Sequence, residues 1–187
     1  KVMHMSRGEL TGVFKDVQGK LHPLPAKGID TGAGLERIAA LLNNQESVFD
    51  TDELSRLITR VEELSAELRA DGQTVRYTKE TASAFRVLAD HARCASFAIA
   101  DGIFPGNTGR GYVIRRVIRR ALLFARDLGI FQPALYRMVP LISEIYGPFY
   151  PEVKAAAADI EERNRNEEDR FLQTLEQGQR IWQEYLA

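Results

Sequence analysis

The chain has 187 residues, 44% of them hydrophobic and 27% charged, with 25 Lys and Arg against 26 Asp and Glu and a formal net charge of −1. That composition is that of an ordinary water-soluble globular protein, long enough for one core or for a small domain beside a piece of another. A single Cys94 excludes an internal disulfide, no stretch is long and apolar enough to span a membrane, and a reducing cytoplasm is the expected location. Lys1 is not an initiator residue and no signal-peptide pattern follows it, so the chain reads as part of something longer.

Taken in order, residues 2–24 are interrupted by glycine and alternate like strands around Gly12 to Leu21, which predicts a hairpin or the last strands of a sheet. From Gly34 onward the periodicity is helical. Leu35, Ile38, Ala39 and Leu42 form one short stripe. Asp50 and Glu53 have the spacing of a capping pattern for the next helix, whose stripe is Leu54, Leu57, Ile58, Val61, Leu64 and Leu68 before a stop near Gly72. Thr78 or Thr81 can cap a third helix carrying Phe85, Leu88, Ala92, Ala95 and Ile99, ended by Asp101 and Gly102. After an arginine-rich helix, Gln132 and Pro133 should start another, kinked at Pro140 and closed at Gly147 and Pro148. The last segment has apolar residues at Val153, Ala156 and Ile160 and again at Phe171, Leu175, Trp182 and Tyr185. The polar run from Glu161 to Arg170 between them predicts a long helix crossing solvent or a junction.

The arginine-rich helix carries the first chemical signal. At about 100° per residue, Val113, Ile114, Val117, Ile118, Ala121, Leu122, Phe124, Ala125 and Leu128 share a broad apolar face. Arg115, Arg116, Arg119, Arg120 and Arg126 take the other side. A guanidinium fork bonds two phosphate oxygens at once and keeps its charge at any accessible pH, so a nucleic-acid backbone is the natural partner. The loop before it, Pro105 to Gly111, brings backbone amides, Asn107 and Arg110 to a helix N-terminus, where anions bind. The competing reading is a solvated charged face with acidic neighbours, or a subunit contact.

The second signal is Asp30-Thr31-Gly32-Ala33-Gly34-Leu35-Glu36-Arg37, where strand gives way to helix. Two glycines one residue apart let a ligand approach the backbone, and the helix they open points free amides outward. Arg37 can reach a triphosphate or lie on a purine, and Asp30 can hold an ammonium group. A tight turn in which Glu36 pairs with an arginine is the structural alternative.

As a whole, this run resembles motif 3 of class II aminoacyl-tRNA synthetases, in the version of the alanyl-tRNA synthetase family. Arg86 to Gly102 and Asn107 to Ala121 resemble that family's helical tRNA-recognition domain, so the resemblance covers about Leu21 to Leu128 and extends more loosely into the terminal helix. It implies a mainly α fold, a helical tRNA-recognition domain preceded by a small β remnant of a class II catalytic domain. Residues 1–45 would be the C-terminal edge of the adenylation domain, and 46–187 the recognition domain, incomplete at its C-terminal end.

The implied activity is alanine–tRNA ligation: alanyl-adenylate is made from alanine and ATP with Mg, and the alanyl group then passes to tRNA(Ala). The resemblance assigns Asp30 and Gly32 to alanine, Gly34 and Arg37 to ATP, and Asn107 to a G·U wobble pair of the acceptor stem. Arg110, Arg115, Arg116, Arg119 and Arg120 would grip the stem. A wobble pair exposes the guanine amine in the shallow minor groove of A-form RNA, where an asparagine carbonyl can accept it. The arginines position without specifying.

The chain departs from the family pattern at Ala33, where methionine is usual, and at Val2-Met3-His4-Met5-Ser6. Motifs 1 and 2 do not occur in the 187 residues, so the chain alone is expected to be inactive. Zinc is expected only in the family's editing domain, and no metal site is assigned here. His91 and Cys94, three residues apart, could be proposed as ligands, but His4 and His22 are distant in sequence. Trp182 and Tyr185 could stack on bases, although core burial is the reading favoured on an amphipathic helix. Two other classes compete with the ligase: a stand-alone, non-catalytic RNA-binding helical module, and a helical adaptor whose arginines serve a protein. Neither needs the Asp30 to Arg37 run.

Overall fold

The structure is a computed structural model that describes residues 13–15, 18, 20–23 and 32–186. Two short strands, β1 (Val13–Lys15) and β2 (Leu21–Pro23), pair antiparallel with Phe14 opposite His22. The α-helices described from residue 35 onward are α1 (Leu35–Leu42), α2 (Asp52–Leu68), α3 (Ala82–Ala100), α4 (Gly109–Asp127), α5 (Val139–Tyr146), α6 (Pro151–Ala155) and α7 (Ala157–Leu186). The chain is therefore mainly α. Val2 to Ser6, and Asp30 with its alanine-binding assignment, lie outside the described residues.

One core joins α2 to the first half of α7. Each expected apolar position of α2 and α3, from Leu54 to Leu68 and from Phe85 to Ile99, is buried. The pair α3 and α4 packs most extensively, and its buried Ala89, Ala92 and Ala95 on one side with Ala121 and Ala125 on the other let the backbones approach closely. Helix α1 differs. Its stripe has the expected period, yet Leu35, Leu41 and Leu42 are more than two-thirds exposed and Ala40 alone is buried.

Several helix boundaries correct the sequence reading. The capping box spans Ser47 and Asp50, not Asp50 and Glu53: the Ser47 hydroxyl accepts from the Phe49 N–H at 3.2 Å, and Asp50 accepts from the Ser47 N–H at 3.1 Å. It closes a 3-10 turn over Val48–Asp50, and α2 then begins at Asp52 without a side-chain cap. Thr81 stands at the N-cap position of α3 but donates its hydroxyl to the Arg76 carbonyl at 2.7 Å. The predicted helix from Pro133 is instead a 3-10 turn over Leu135–Met138 that leads into α5, with Pro140 in its first turn. A proline there lacks an N–H that would have no intrahelical partner, so it starts the helix and kinks nothing.

The largest correction concerns the polar run of the last segment. A break at Ala156 separates α6 from α7, and Glu161 to Arg170 crosses no open solvent: Asn164, Glu167 and Glu168 are buried. Glu168 accepts hydrogen bonds from the backbone N–H groups of Ala134, Leu135 and Tyr136, at 2.6, 2.9 and 2.9 Å. Its carboxylate thus satisfies the N–H groups that open the 3-10 turn, in the manner of a cap borrowed from another helix. Burial pushes its pKa up to about 7, against the opposing pull of those three donors.

Removing this group should therefore be costly. Glu168→Ala leaves three N–H groups unsatisfied and is expected to lower stability by about 3 kcal/mol or more, read by urea denaturation. The fold holds the Glu168 proton to about pH 7 and the unfolded chain only to about 4.5, so unfolding releases a proton between these values. Stability from this residue is full below pH 4.5 and falls as pH rises towards 7. Glu168→Gln should flatten that part of the pH profile of the melting temperature.

Candidate nucleic-acid interface

The loop ahead of α4 is built by close backbone approach. The Gly106 N–H donates to the Gly111 carbonyl at 3.0 Å, and a Cβ at Gly111 would lie 2.4 Å from the Phe104 carbonyl oxygen, so no side chain fits there. Gly109, the first residue of α4, has φ of +57°, a left-handed conformation that favours glycine. From α7, the Arg163 guanidinium lies over the Phe104 ring at 3.6 Å and anchors the loop base. Asn107 is exposed in this loop, and Arg110, which the structure places in the first turn of α4, is exposed beside it. Neither Asn107 nor Thr108 caps α4; the Asn107 carbonyl oxygen instead accepts from an Nη1 hydrogen of Arg115.

The arginines opposite the apolar face of α4 form two tiers. Ile114, Ile118, Ala121, Leu122, Ala125 and Leu128 face the core, while Val113, assigned to the apolar face, is exposed. Arg115 and Arg119 turn towards α7, where the buried Glu167 places its Oε1 3.2 Å from Arg115 Nε and 2.7 Å from Arg119 Nε. Arg116 and Arg120 are exposed and lie over the rings of Tyr112 and Phe124, each at 5.8 Å. Arg119 lies over Phe171 at 5.1 Å and Arg126 over Phe131 at 5.0 Å. Stacking of this kind limits the sweep of long side chains without neutralising their charge. One tier is paired within the protein; the other is free to meet oxyanions.

At the other end, Gly32, Ala33 and Gly34 are exposed, and Gly34 is the N-cap residue of α1 with no side-chain cap. The stem of Arg37 lies beside Gly34, its Cδ 3.4 Å from where a Cβ would stand, and Arg37 is exposed. Glu36, on the other side of α1, accepts from Arg93 of α3 at 2.7 Å. A backbone hydrogen bond, with Arg93 adding to it, holds the Glu36 carboxyl below the usual carboxylate range. Arg93 also reaches Tyr146 Oη and Asp90, each at 3.3 Å. This strut ties α1 to the helical core beside a cleft of about 550 Å³ whose walls include Glu53, Phe97 and Tyr150. The structural alternative for Glu36 is thus realised in α1, and it leaves Arg37 unengaged.

His91 and Cys94 stand on α3, and Trp182 and Tyr185 near the end of α7. His91 Nδ1 lies 3.0 Å from the Val117 carbonyl oxygen and bridges α3 to α4; burial pulls its pKa down. Among the described residues no group of three His, Cys, Asp or Glu could hold a metal ion. Trp182 and Tyr185 are not core residues: they are 61% and 82% exposed and stack on each other at 6.2 Å. Sequence reasoning missed Glu167, Glu168 and Arg93. The signal for the first two was present, because Ile160, Asn164, Glu167, Glu168, Phe171 and Leu172 continue one helical stripe straight through the polar run.

Residues 9–187 match the model of the family described as tRNA synthetases class II (A), and the chain belongs to that family. Its curated relatives include the alanine–tRNA ligase of Leptospira biflexa, 51% identical over 162 residues covering 87% of this chain and 17% of that protein. The alanine–tRNA ligase of Thermotoga petrophila is 45% identical over 174 residues, 93% of this chain and 20% of that protein. That of Leptospira borgpetersenii is 47% identical over 175 residues, 88% and 19% respectively. The chain therefore spans about a fifth of the length of these relatives.

Glu167 is the carboxylate on which the inner tier depends. Glu167→Ala would leave two part-buried guanidinium groups facing each other without a counter-charge, and a loss of about 2 kcal/mol is expected on denaturation. Arg120→Ala, on the outer tier, should change stability by less than about 0.5 kcal/mol.

Proposed function

We propose that this chain is the part of an alanine–tRNA ligase that edges the adenylate pocket and holds the acceptor stem of tRNA(Ala). The observation that carries the reading is the exposed Asn107 at the tip of a glycine-shaped loop, flanked by the outward arginines of α4, in a chain of the class II family. Residues 1–45 act as the C-terminal edge of the catalytic domain, with β1 and β2 as a remnant of its sheet. Residues 46–187 are the tRNA-recognition domain. The ligase reading is favoured over a stand-alone RNA-binding module because the Asp30 to Arg37 run belongs to the same chain and has no role in a module that performs no chemistry.

In the complete enzyme, the alanine carboxylate attacks the α-phosphorus of ATP and pyrophosphate leaves; a hydroxyl of the terminal ribose then attacks the alanyl carbonyl and AMP leaves. Asp30 holds the α-ammonium of alanine, and the bare backbone at Gly32 and Gly34 admits alanine and the adenylate. Exposed Arg37 contacts ATP, whose phosphates bring Mg with them. Any zinc belongs to an editing domain elsewhere, and the chemistry takes place in the cytoplasm. No helix among the described residues is long and apolar enough to cross a membrane.

Phosphates of the stem meet Arg110, Arg116 and Arg120, with Arg115 and Arg119 behind them, while Asn107 accepts the guanine amine of the G·U pair. Each exposed arginine then contributes affinity without discrimination. Arg116→Ala and Arg120→Ala in a full-length alanine–tRNA ligase carrying this segment should weaken wobble-containing and G·C-containing stems alike. Each should reduce the slope of log affinity against log salt by about one.

The deciding experiment is Asn107→Ala in the same full-length enzyme. Charging of the wobble-containing stem should fall roughly ten- to a hundredfold and the preference over a G·C variant should narrow, as expected for loss of one base-edge contact of about 1–3 kcal/mol. ATP–pyrophosphate exchange in the same preparation reports the adenylate pocket separately. An undiminished wobble preference removes Asn107 from the recognition site.

A further inference from the structure

An amide is a reader of base edges only if its two ends are told apart, because the carbonyl accepts where the NH2 group donates. At an exposed loop tip nothing intrinsic makes that choice. A half-turn of the Asn107 amide would present a donor to the guanine amine, which is itself a donor. The neighbour of Asn107 makes the choice. Arg115 is donor-only, so the atom facing it has to be the oxygen, and the Arg115 Nη1 hydrogen does bond the Asn107 carbonyl. That oxygen keeps a second lone pair for an incoming donor.

Arg115 is in turn held from behind. Its side chain is 17% exposed, and its Nε stands 3.2 Å from Glu167 Oε1, a carboxylate 3% exposed and fixed on its other flank by Arg119 Nε at 2.7 Å. Arg115 thus faces two neighbours at once: its Nε lies at ion-pair distance from the Glu167 carboxylate without donating a hydrogen bond to it, and its Nη1 donates to Asn107. Arg116 and Arg120 have no such carboxylate partner among the described residues. We infer that Arg115, clamped by Glu167, is a positioning residue that fixes the orientation of the Asn107 amide and so sets wobble specificity, and that it is not primarily a phosphate contact. The inference rests on the proposed role of Asn107 as the wobble reader.

The test is a double-mutant cycle in a full-length alanine–tRNA ligase carrying this segment, reading kcat/KM for charging of G·U-containing and G·C-containing acceptor stems. Arg115→Met keeps the apolar stem and removes every donor. It should narrow the G·U preference about three- to tenfold, the worth of one oriented hydrogen bond. Combined with Asn107→Ala it should narrow the preference no further than Asn107→Ala alone. Arg115→Gln carries an acceptor as well as donors and so imposes no single orientation on the Asn107 amide; it too should narrow the preference, and it stands in if the Met variant melts early. A preference retained in Arg115→Gln or Arg115→Met, with both stems charged more slowly by the same factor, overturns the inference and makes Arg115 a phosphate contact. If Asn107→Ala itself leaves the preference intact, both the reading and the inference fall; if Asn107→Ala narrows it and the Arg115 variants do not, only the inference falls.

Discussion

Two adjacent glutamates on one turn of α7, Glu167 and Glu168, organise much of this structure, because a buried carboxylate must find partners or be expelled. Successive residues on a helix point about 100° apart, so the two side chains serve different neighbours. Glu168 gathers the backbone N–H groups of Ala134, Leu135 and Tyr136 and thereby fixes the turn from which α5 starts. Glu167 faces α4 and collects Arg115 and Arg119. Moving this turn of α7 would disturb the path of the chain into α5 and the arrangement of the arginine face together.

Electrostatic layering follows from that constraint. A helix crowded with arginines repels itself, and the protein relieves the repulsion on one side only: Arg115 and Arg119 are paired with Glu167, while Arg116 and Arg120 stay exposed over aromatic rings. The net charge of the chain is close to zero, yet its positive charge is presented locally beside a loop held open by glycine. This is how a near-neutral protein can offer a cationic surface without a basic tail. At the far edge, the Glu36 to Arg93 ion pair links the helix after the Gly-rich turn to the same core, so the two candidate sites share one framework.

The parts legible in the sequence were those governed by periodicity and by local chemistry. The apolar stripes of α2 and α3 repeat without interruption, and their burial followed directly. Asn107 sits in a glycine-marked loop and is exposed, whereas Arg110, read as part of that loop, belongs to the first turn of α4. What escaped depended on distant partners. A glutamate in a polar run reads as solvated until a turn thirty-odd residues earlier is found to need an acceptor, and an arginine reads as free until its carboxylate is located. Trp182 and Tyr185 failed in the opposite direction: an amphipathic pattern predicts burial only where something packs against it, and here they stack on each other in solvent. The short 3-10 turns at Val48–Asp50 and Leu135–Met138 were missed because hydrogen bonds across three residues leave no hydrophobic period to read.

The central claim is that an acceptor stem lies against the loop at Asn107 and the outer arginines of α4. Hydrogen–deuterium exchange of a full-length alanine–tRNA ligase carrying this segment, with and without a G·U-containing acceptor-stem hairpin, addresses it most directly. The account predicts slowed exchange in residues 104–120 on adding the hairpin, with a smaller effect from a G·C-containing hairpin, and little change in α2. Protection that spares residues 104–120 while the hairpin is bound would contradict it.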